Sequence, residues 1–261
     1  MNLIQLVSAL TLINITLGFI IIYMTAKLKN LSILLVAVPL LMSATAWSGM
    51  LLQSTFEIAD IADRQILANV LFTFWALKFS AYNKNLKVQI LKYLLNENFQ
   101  IRGLGFFEKT KTLLCFMSCF MIILMPIVSL NFLPGNVDLG YLDALAAAIF
   151  LLGVGYEIKA LNELKKLSLT INEKLHRKGL WFLSRHPDLL GQLVSWWGLY
   201  LLALGAYGGE WSIFGPLVTT FLYFKFFLID LEIKLTRKYN EYNEYRLSTP
   251  SIFPKVPFLK S

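Results

Sequence analysis

The sequence predicts an all-α integral membrane protein of seven transmembrane helices, with its N-terminus outside and its C-terminus cytoplasmic. Three observations predict it. The chain of 261 residues is 57% hydrophobic and only 15% charged, whereas a soluble domain carries about 25% charged residues to cover its surface. Seven stretches are apolar enough to cross a hydrocarbon core about 30 Å thick, which takes roughly 20 residues of helix. Third, basic residues gather on alternate connections between those stretches, the asymmetry that orients spans at insertion. Two Cys and two His exclude a disulfide framework, a structural zinc site and a His-rich centre, so no metal is expected. With 20 Phe, 11 Tyr and 6 Trp the chain is also too aromatic to be disordered.

The first span runs from about Leu3 to Ala26. No Lys or Arg precedes it and Lys27 and Lys29 follow it, which reads as a true span rather than a cleavable signal peptide. The second covers Leu31–Leu52, and the third, short and carrying Lys78, covers Ile66–Tyr82. Thr112–Leu133 is the fourth and Gly140–Leu161 the fifth. The sixth, Leu189–Tyr207, and the seventh, Trp211–Asp230, are joined by a tight Gly208-Gly209-Glu210 turn. Between the third and fourth spans, Leu86, Ile90, Leu91, Leu94 and Leu95 recur among lysines with helical spacing, predicting a short helix on the inner surface.

With the N-terminus outside, the inner connections and the C-terminal tail hold 20 of the 24 basic residues. The outer connections hold Arg64 alone, beside Glu57, Asp60, Asp63, Asp138 and Glu210. The net charge of +8 is thereby explained as topogenic charge on an anionic inner leaflet, and no nucleic-acid partner is expected. The protein is predicted to be multi-pass, in a bacterial inner membrane or its equivalent, with membrane lipids as its surroundings. Oligomeric state is not coded.

Several polar residues fall near the inner ends of spans: Lys78, Glu157, Lys159, Gln192, Ser195, Lys225 and Asp230. Lysines such as Lys159 and Lys225 can snorkel to the headgroups. Glu157 and Asp230 are too short for that, so they predict a polar cavity open to the cytoplasm. Gly191, Gly198 and Gly205, seven apart, form a stripe that lets a neighbouring helix approach, and Trp196 and Trp197 read as core or lipid-facing bulk. Cys115 and Cys119 read as small core residues.

From Gly155 onward the pattern sharpens. Gly155-Tyr156-Glu157 is followed by Lys178-Gly179-Leu180-Trp181, then by Ser184-Arg185-His186-Pro187-Asp188-Leu189-Leu190-Gly191-Gln192 and Trp196-Trp197-Gly198. Tyr239-Asn240-Glu241-Tyr242 and Thr249-Pro250-Ser251-Ile252-Phe253-Pro254 close the chain. This order resembles the steroid 5α-reductase family, in particular its uncharacterised bacterial branch, over about the last 105 residues, with Trp75-Ala76-Leu77-Lys78 similar to a W-x-x-R element.

The resemblance implies seven helices and NADPH bound from the cytoplasmic side, with hydride transfer to an activated C=C bond of a lipid or steroid-like enone. It implies a cofactor site among Lys78, Glu157, Lys165, Lys178, Arg185, His186, Asp188, Gln192, Arg237 and Tyr242, while no catalytic residue is assigned. Residues 1–135 would be a four-helix half on the lipid and substrate side. Residues 136–261 would be a three-helix region with a cytoplasmic loop and tail, in one membrane domain with the first. The chain departs from the family at Asp188 (Asn in the pattern), Leu189 (Tyr), Gln192 (Glu), Leu161 (an acid) and Lys78 (Arg). Two other readings stand beside the reductase. One is an S-adenosylmethionine-dependent methyltransferase resembling isoprenylcysteine carboxyl methyltransferase, through the Arg185-His186-Pro187 element and Glu232 with Tyr239 and Tyr242. The other is a non-catalytic, lipid-binding descendant of the reductase scaffold.

Overall fold

Helix ends written into the sequence set the architecture of the computed structural model, which describes residues 31–55, 61–85, 125–132, 138–168, 175 and 177–254 and five single positions between Gln5 and Tyr23. Helix α1 spans Leu31–Thr55 and α2 spans Asp63–Asn85. At the start of α2 the Ala62 N–H donates to Gln65 Oε1 at 2.9 Å, half of a capping box. Helix α3 is Met125–Phe132 and α4 is Tyr141–Ser168. The start of α4 repeats the device, with the Gly140 N–H donating to Asp143 Oδ2 at 2.7 Å.

The single turn α5, Leu180–Leu183, precedes α6, Pro187–Ala203, whose proline occupies the first position, where a missing N–H costs nothing. A 3-10 turn, Gly209–Ile213, leads into α7, Phe214–Leu222. A π turn, Tyr223–Phe227, then joins it to α8, Leu228–Lys238. Leu222 and Leu228 both keep right-handed helical dihedrals, so residues 214–238 form one helix with one widened turn. Helix α9, Tyr242–Ser248, ends where Thr249 turns extended ahead of Pro250. Among the described residues there is no strand, and the protein is all-α.

The chain divides into two units. The first comprises Met1–Ala147 and Leu199–Gly215, where α1, α2 and α3 pack together and α3 meets the 3-10 turn. Helix α2 buries Gln65, Asn69, Lys78 and Ser80, while every exposed residue from Ile66 to Ala81 (Ile66, Val70, Phe74, Leu77 and Ala81) is apolar. Its buried amides are satisfied by neighbours. Asn69 and Asn131 exchange side-chain hydrogen bonds at 2.8 and 2.9 Å, and Gln65 donates to Gln53 Oε1 and the Asn131 carbonyl. One turn further on, Thr73 takes hydrogen bonds with Ser43 and Trp47.

The second unit comprises Ala148–Gly198 and Pro216–Ser261. There α4 and α6 cross backbone to backbone. A Cβ on Gly153 would stand 2.5 Å from Ser195 N, one on Gly191 2.6 Å from Glu157 N, and one on Gly198 2.6 Å from Phe150 N. Leu189, Leu228 and Ile252 form a core cluster of this unit, with Leu190 and Tyr223 against it.

Among the described residues two helical segments are long and apolar enough to cross a membrane: Val36–Thr55 (20 residues, mean hydropathy 1.3) and Tyr141–Lys166 (26 residues, mean hydropathy 1.7). The stretches expected as the second, third and fifth spans are helical in α1, α2 and α4, each of which runs a few residues further; of these, α1 and α4 carry the two apolar segments. The sixth stops at Ala203 rather than Tyr207, because Gly208 turns left-handed (φ +66°) and Gly209 lies where a Cβ would be 1.8 Å from the Ala203 carbonyl. The seventh starts as a helix at Phe214 and continues past Asp230 to Lys238. Gly205 is a correction to the glycine stripe. It lies beyond the end of α6, and a Cβ there would meet the Arg64 guanidinium at 2.5 Å; only Gly191 and Gly198 serve a helix crossing. All but five single positions of the first span, the surface helix beyond Asn85, Cys115, Cys119 and most of the fourth span lie outside the described residues.

Candidate functional site

The Ser184–His186 link between α5 and α6 is held in place by the end of the chain. Ser184 is extended (φ −144°, ψ 148°). The next two amides donate to the C-terminal segment, Arg185 N–H to the Pro250 carbonyl at 2.9 Å and His186 N–H to the Ser251 carbonyl at 3.0 Å. Ser184 Oγ reaches the Ser251 and Ile252 carbonyls at 3.0 and 2.7 Å and accepts from the His186 N–H at 3.2 Å. The Tyr245 hydroxyl donates to the Trp181 carbonyl and lies 3.4 Å from that of Ser184. On the other side Trp181 Nε1 donates to the Ala160 carbonyl at 3.1 Å and the Leu180 N–H to Glu163 Oε2 at 2.9 Å. Gly179, at φ +62°, lies so close to that carboxylate that a Cβ would approach it to 2.5 Å.

This scaffold aims three cationic or imidazole groups at one carboxylate. Glu232 Oε1 is 3.0 Å from Arg185 Nη2 and 3.4 Å from His186 Nε2, and Glu232 Oε2 is 3.6 Å from Arg246 Nε. Ser251 Oγ donates to Oε1 at 3.4 Å. Burial alone would raise the Glu232 carboxyl, but the His186 ring and the charges of Arg185 and Arg246 outweigh it and hold the group below its ordinary value. Burial, helped by Glu232, pushes the Tyr242 phenol well up. Arg177 stands 3.8 Å from the carboxylates of both Glu241 and Glu244, with its guanidinium 5.6 Å over the Tyr245 ring.

The cluster leaves hydrogen-bonding capacity unused. Among the described residues of this unit, Arg177 Nε, Arg185 Nε and Nη1, Asp188 Oδ1 and the Tyr242 hydroxyl are buried without a hydrogen-bond partner, whereas His186 Nε2 faces Glu232 Oε1 at 3.4 Å. Buried polar groups are rarely left so in a folded protein. The set is rich in donors, with three guanidinium nitrogens and a phenol against a single carboxylate oxygen, and it suits a ligand rich in acceptors.

Of the predicted site residues, Arg185, His186 and Tyr242 gather around Glu232, and Asp188 follows in the first turn of α6. Gln192, one turn on, accepts the Tyr223 hydroxyl. Tyr223 lies within electrostatic reach of Glu157 and Asp188, and Glu157 is buried at the α4–α6 crossing. Lys165, Lys178 and Arg237 are exposed. Lys78 is buried on α2 in the first unit. Sequence reasoning did not place Glu232 in the reductase site, nor did it single out Tyr223 or Arg246. The available signal for Glu232 was its place with Tyr239 and Tyr242 in the methyltransferase resemblance. Tyr223 carries none, since a π turn has no sequence mark here.

The geometry can be set against known families. The match to the family described as Protein of unknown function (DUF1295) covers residues 19–249. The chain belongs to that family. The match takes in both units and reaches far beyond the last 105 or so residues on which the motif resemblance rests. No curated protein and no solved structure matches the chain.

Proposed function

We propose that the protein is a multi-pass membrane oxidoreductase that binds NADPH at a cytoplasm-facing site and reduces an activated C=C bond of a lipid-like enone. The observation that carries this reading is the donor-rich buried set around Glu232. NADPH brings pyrophosphate, a 2′-phosphate and a carboxamide. Arg185, His186 and Arg177 would take phosphate oxygens, and the Asp188 carboxylate would accept from an amide N–H. Tyr242 would add a hydroxyl. Exposed Lys165, Lys178 and Arg237 would raise the local potential for an anion. When bound, NADPH supplies the hydride; the chain's own contribution would be to hold the donor in place over the alkene, since orientation alone can lower a barrier by several kcal/mol.

The membrane part of the reading is supported by helices that are inside-out for water. Helix α2 hides its amides and presents Ile66, Val70, Phe74 and Leu77, and α4 presents Leu142, Leu145, Leu151 and Leu152 while burying Asp143 and Glu157. A water-facing helix has the opposite arrangement, and exposed apolar surface of this extent fits lipid. Seven spans place Arg64, Asp138 and Gly205 on one face, and these three connections do meet at the Arg64 guanidinium. The association of the DUF1295 family with steroid 5α-reductase-like proteins points the same way.

One observation favours a second reading. Glu232 and Tyr242, singled out by the methyltransferase resemblance, stand with Arg185 and His186. The unused cationic donors weigh against S-adenosylmethionine, which carries a sulfonium and an ammonium against one carboxylate and has no phosphate. Protein purified in detergent and titrated separately with NADPH and S-adenosylmethionine decides between them, read by tryptophan fluorescence and melting temperature. A saturable NADPH response that Arg185→Ala weakens at least tenfold is expected. A response to S-adenosylmethionine alone, or to neither compound, overturns the reductase reading, as does equal behaviour of wild type and variant.

A further inference from the structure

We infer that Ser184 is a positioning residue of the proposed nucleotide site, fixing Arg185 and His186 by pinning their backbone to the C-terminal segment Pro250–Ile252. The inference rests on the reading of that site given above and adds the part of the chain that sets its geometry.

Arg185 and His186 leave from an extended link between a one-turn helix and the first residue of α6, a place where backbone dihedrals are soft unless hydrogen bonds fix them. The bonds converge on one residue. Ser184 is fully buried. Its hydroxyl spans two carbonyls of the C-terminal segment while accepting the amide of His186, two residues on. Its own carbonyl is met from the opposite side by Tyr245. The amides of Arg185 and His186 continue the pairing to Pro250 and Ser251, and Ser251 in turn donates to Glu232, the carboxylate that both side chains face. The backbone anchors of the two residues thus belong to one three-residue segment, whose Ser251 also contacts the carboxylate that holds their side chains. A binding group must be held within about 0.5 Å to act well, and removing the Ser184 hydroxyl loosens this link without touching any group that would meet the nucleotide.

The test uses the full-length protein and two readouts, amide hydrogen exchange over residues 184–190 and NADPH titration. Ser184→Ala is expected to speed exchange at Arg185 and His186 at least tenfold and to weaken NADPH at least tenfold, with exchange in α1 and α2 unchanged. Ser184→Thr, which keeps the hydroxyl, restores both. Wild-type affinity in Ser184→Ala overturns the inference and leaves the site's reading standing. A wild-type protein that takes no NADPH overturns that reading, and the positioning role falls with it. Affinity lost together with protection throughout the chain makes Ser184 a folding residue and overturns the inference too. Should Ser184→Ala not fold, Tyr245→Phe carries the test from the carbonyl side: faster exchange at the two amides with weaker NADPH is expected, and unchanged affinity overturns the proposal.

Discussion

Two arginines, one in each unit, are buried against a carboxylate and differ in what they leave over. Arg64 at the start of α2 is hydrogen-bonded through all three of its nitrogens. Its Nε and Nη2 take both oxygens of Asp143 at 2.7 and 2.8 Å, Nη1 donates to the Gly205 carbonyl at 2.8 Å, and Nη2 also reaches the Asp138 carbonyl at 3.3 Å. Arg185, just ahead of α6, spends Nη2 on Glu232 at 3.0 Å, and its Nε and Nη1 are buried without a hydrogen-bond partner. A buried ion with every donor satisfied has no capacity for a ligand and serves as a joint. A buried ion with donors to spare costs folding free energy until something accepts from them. The same side chain therefore reads as architecture in one unit and as a site in the other.

The largest expected effect breaks the joint. Arg64→Ala strands the Asp143 carboxylate in a buried position and frees the Asp138 and Gly205 carbonyls, a loss of about 3–5 kcal/mol for a broken buried pair. It should appear as a much lower melting temperature in detergent. Replacing both partners, Arg64→Met with Asp143→Leu, should recover most of that loss, because no charge is then left stranded. If Arg64→Ala melts within a degree or two of wild type, Arg64 is not the joint described and the contrast between the two arginines fails.

A smaller effect sharpens the other side of the contrast. The folded-state pKa of Glu232 lies below its ordinary value of 4.5. Its ion pairs therefore contribute stability that is fully present above about that value and is lost as pH falls through the folded pKa. Melting temperature followed downward from neutral pH should drop below about pH 4.5, and Glu232→Gln should lower stability at neutral pH and flatten the acid limb. An acid limb of the same depth in the variant would mean that Glu232 does not hold the cluster together.

Much of the fold was legible because it depends on local signals. The apolar stretches expected as the second, third and fifth spans are helical, and Gly208-Gly209 makes the turn before α7. Lys159 and Lys225 are exposed and Glu157 is buried. The failures are long-range. Arg64 reads as a lone cation in an outer connection because its partners lie 79 and 141 residues away, and Gly205 falls on a helical stripe by spacing although the helix ends before it. At the site, the Arg185-His186-Pro187 element and Tyr242 were visible as a motif. Glu232, which gathers them, was visible only through the methyltransferase resemblance, because its partners Arg185 and His186 lie more than forty residues before it in the chain.

The smallest effect supplies a background against which both arginines can be weighed. Gly155 lies on α4 two residues from Gly153, but on the opposite side. A Cβ on Gly153 meets backbone of α6, whereas a Cβ on Gly155 meets nothing within 4 Å. Gly155→Ala should therefore stabilise the protein by about 0.5–1 kcal/mol, the usual cost of glycine inside a helix, seen as a slightly higher melting temperature. Because it touches neither Arg64 nor Arg185, it should add to Arg64→Ala within about 0.5 kcal/mol and leave the NADPH titration where it was. A destabilised Gly155→Ala would mean that this face of α4 is covered, and α4 would then lose part of the lipid-facing surface on which the membrane reading draws.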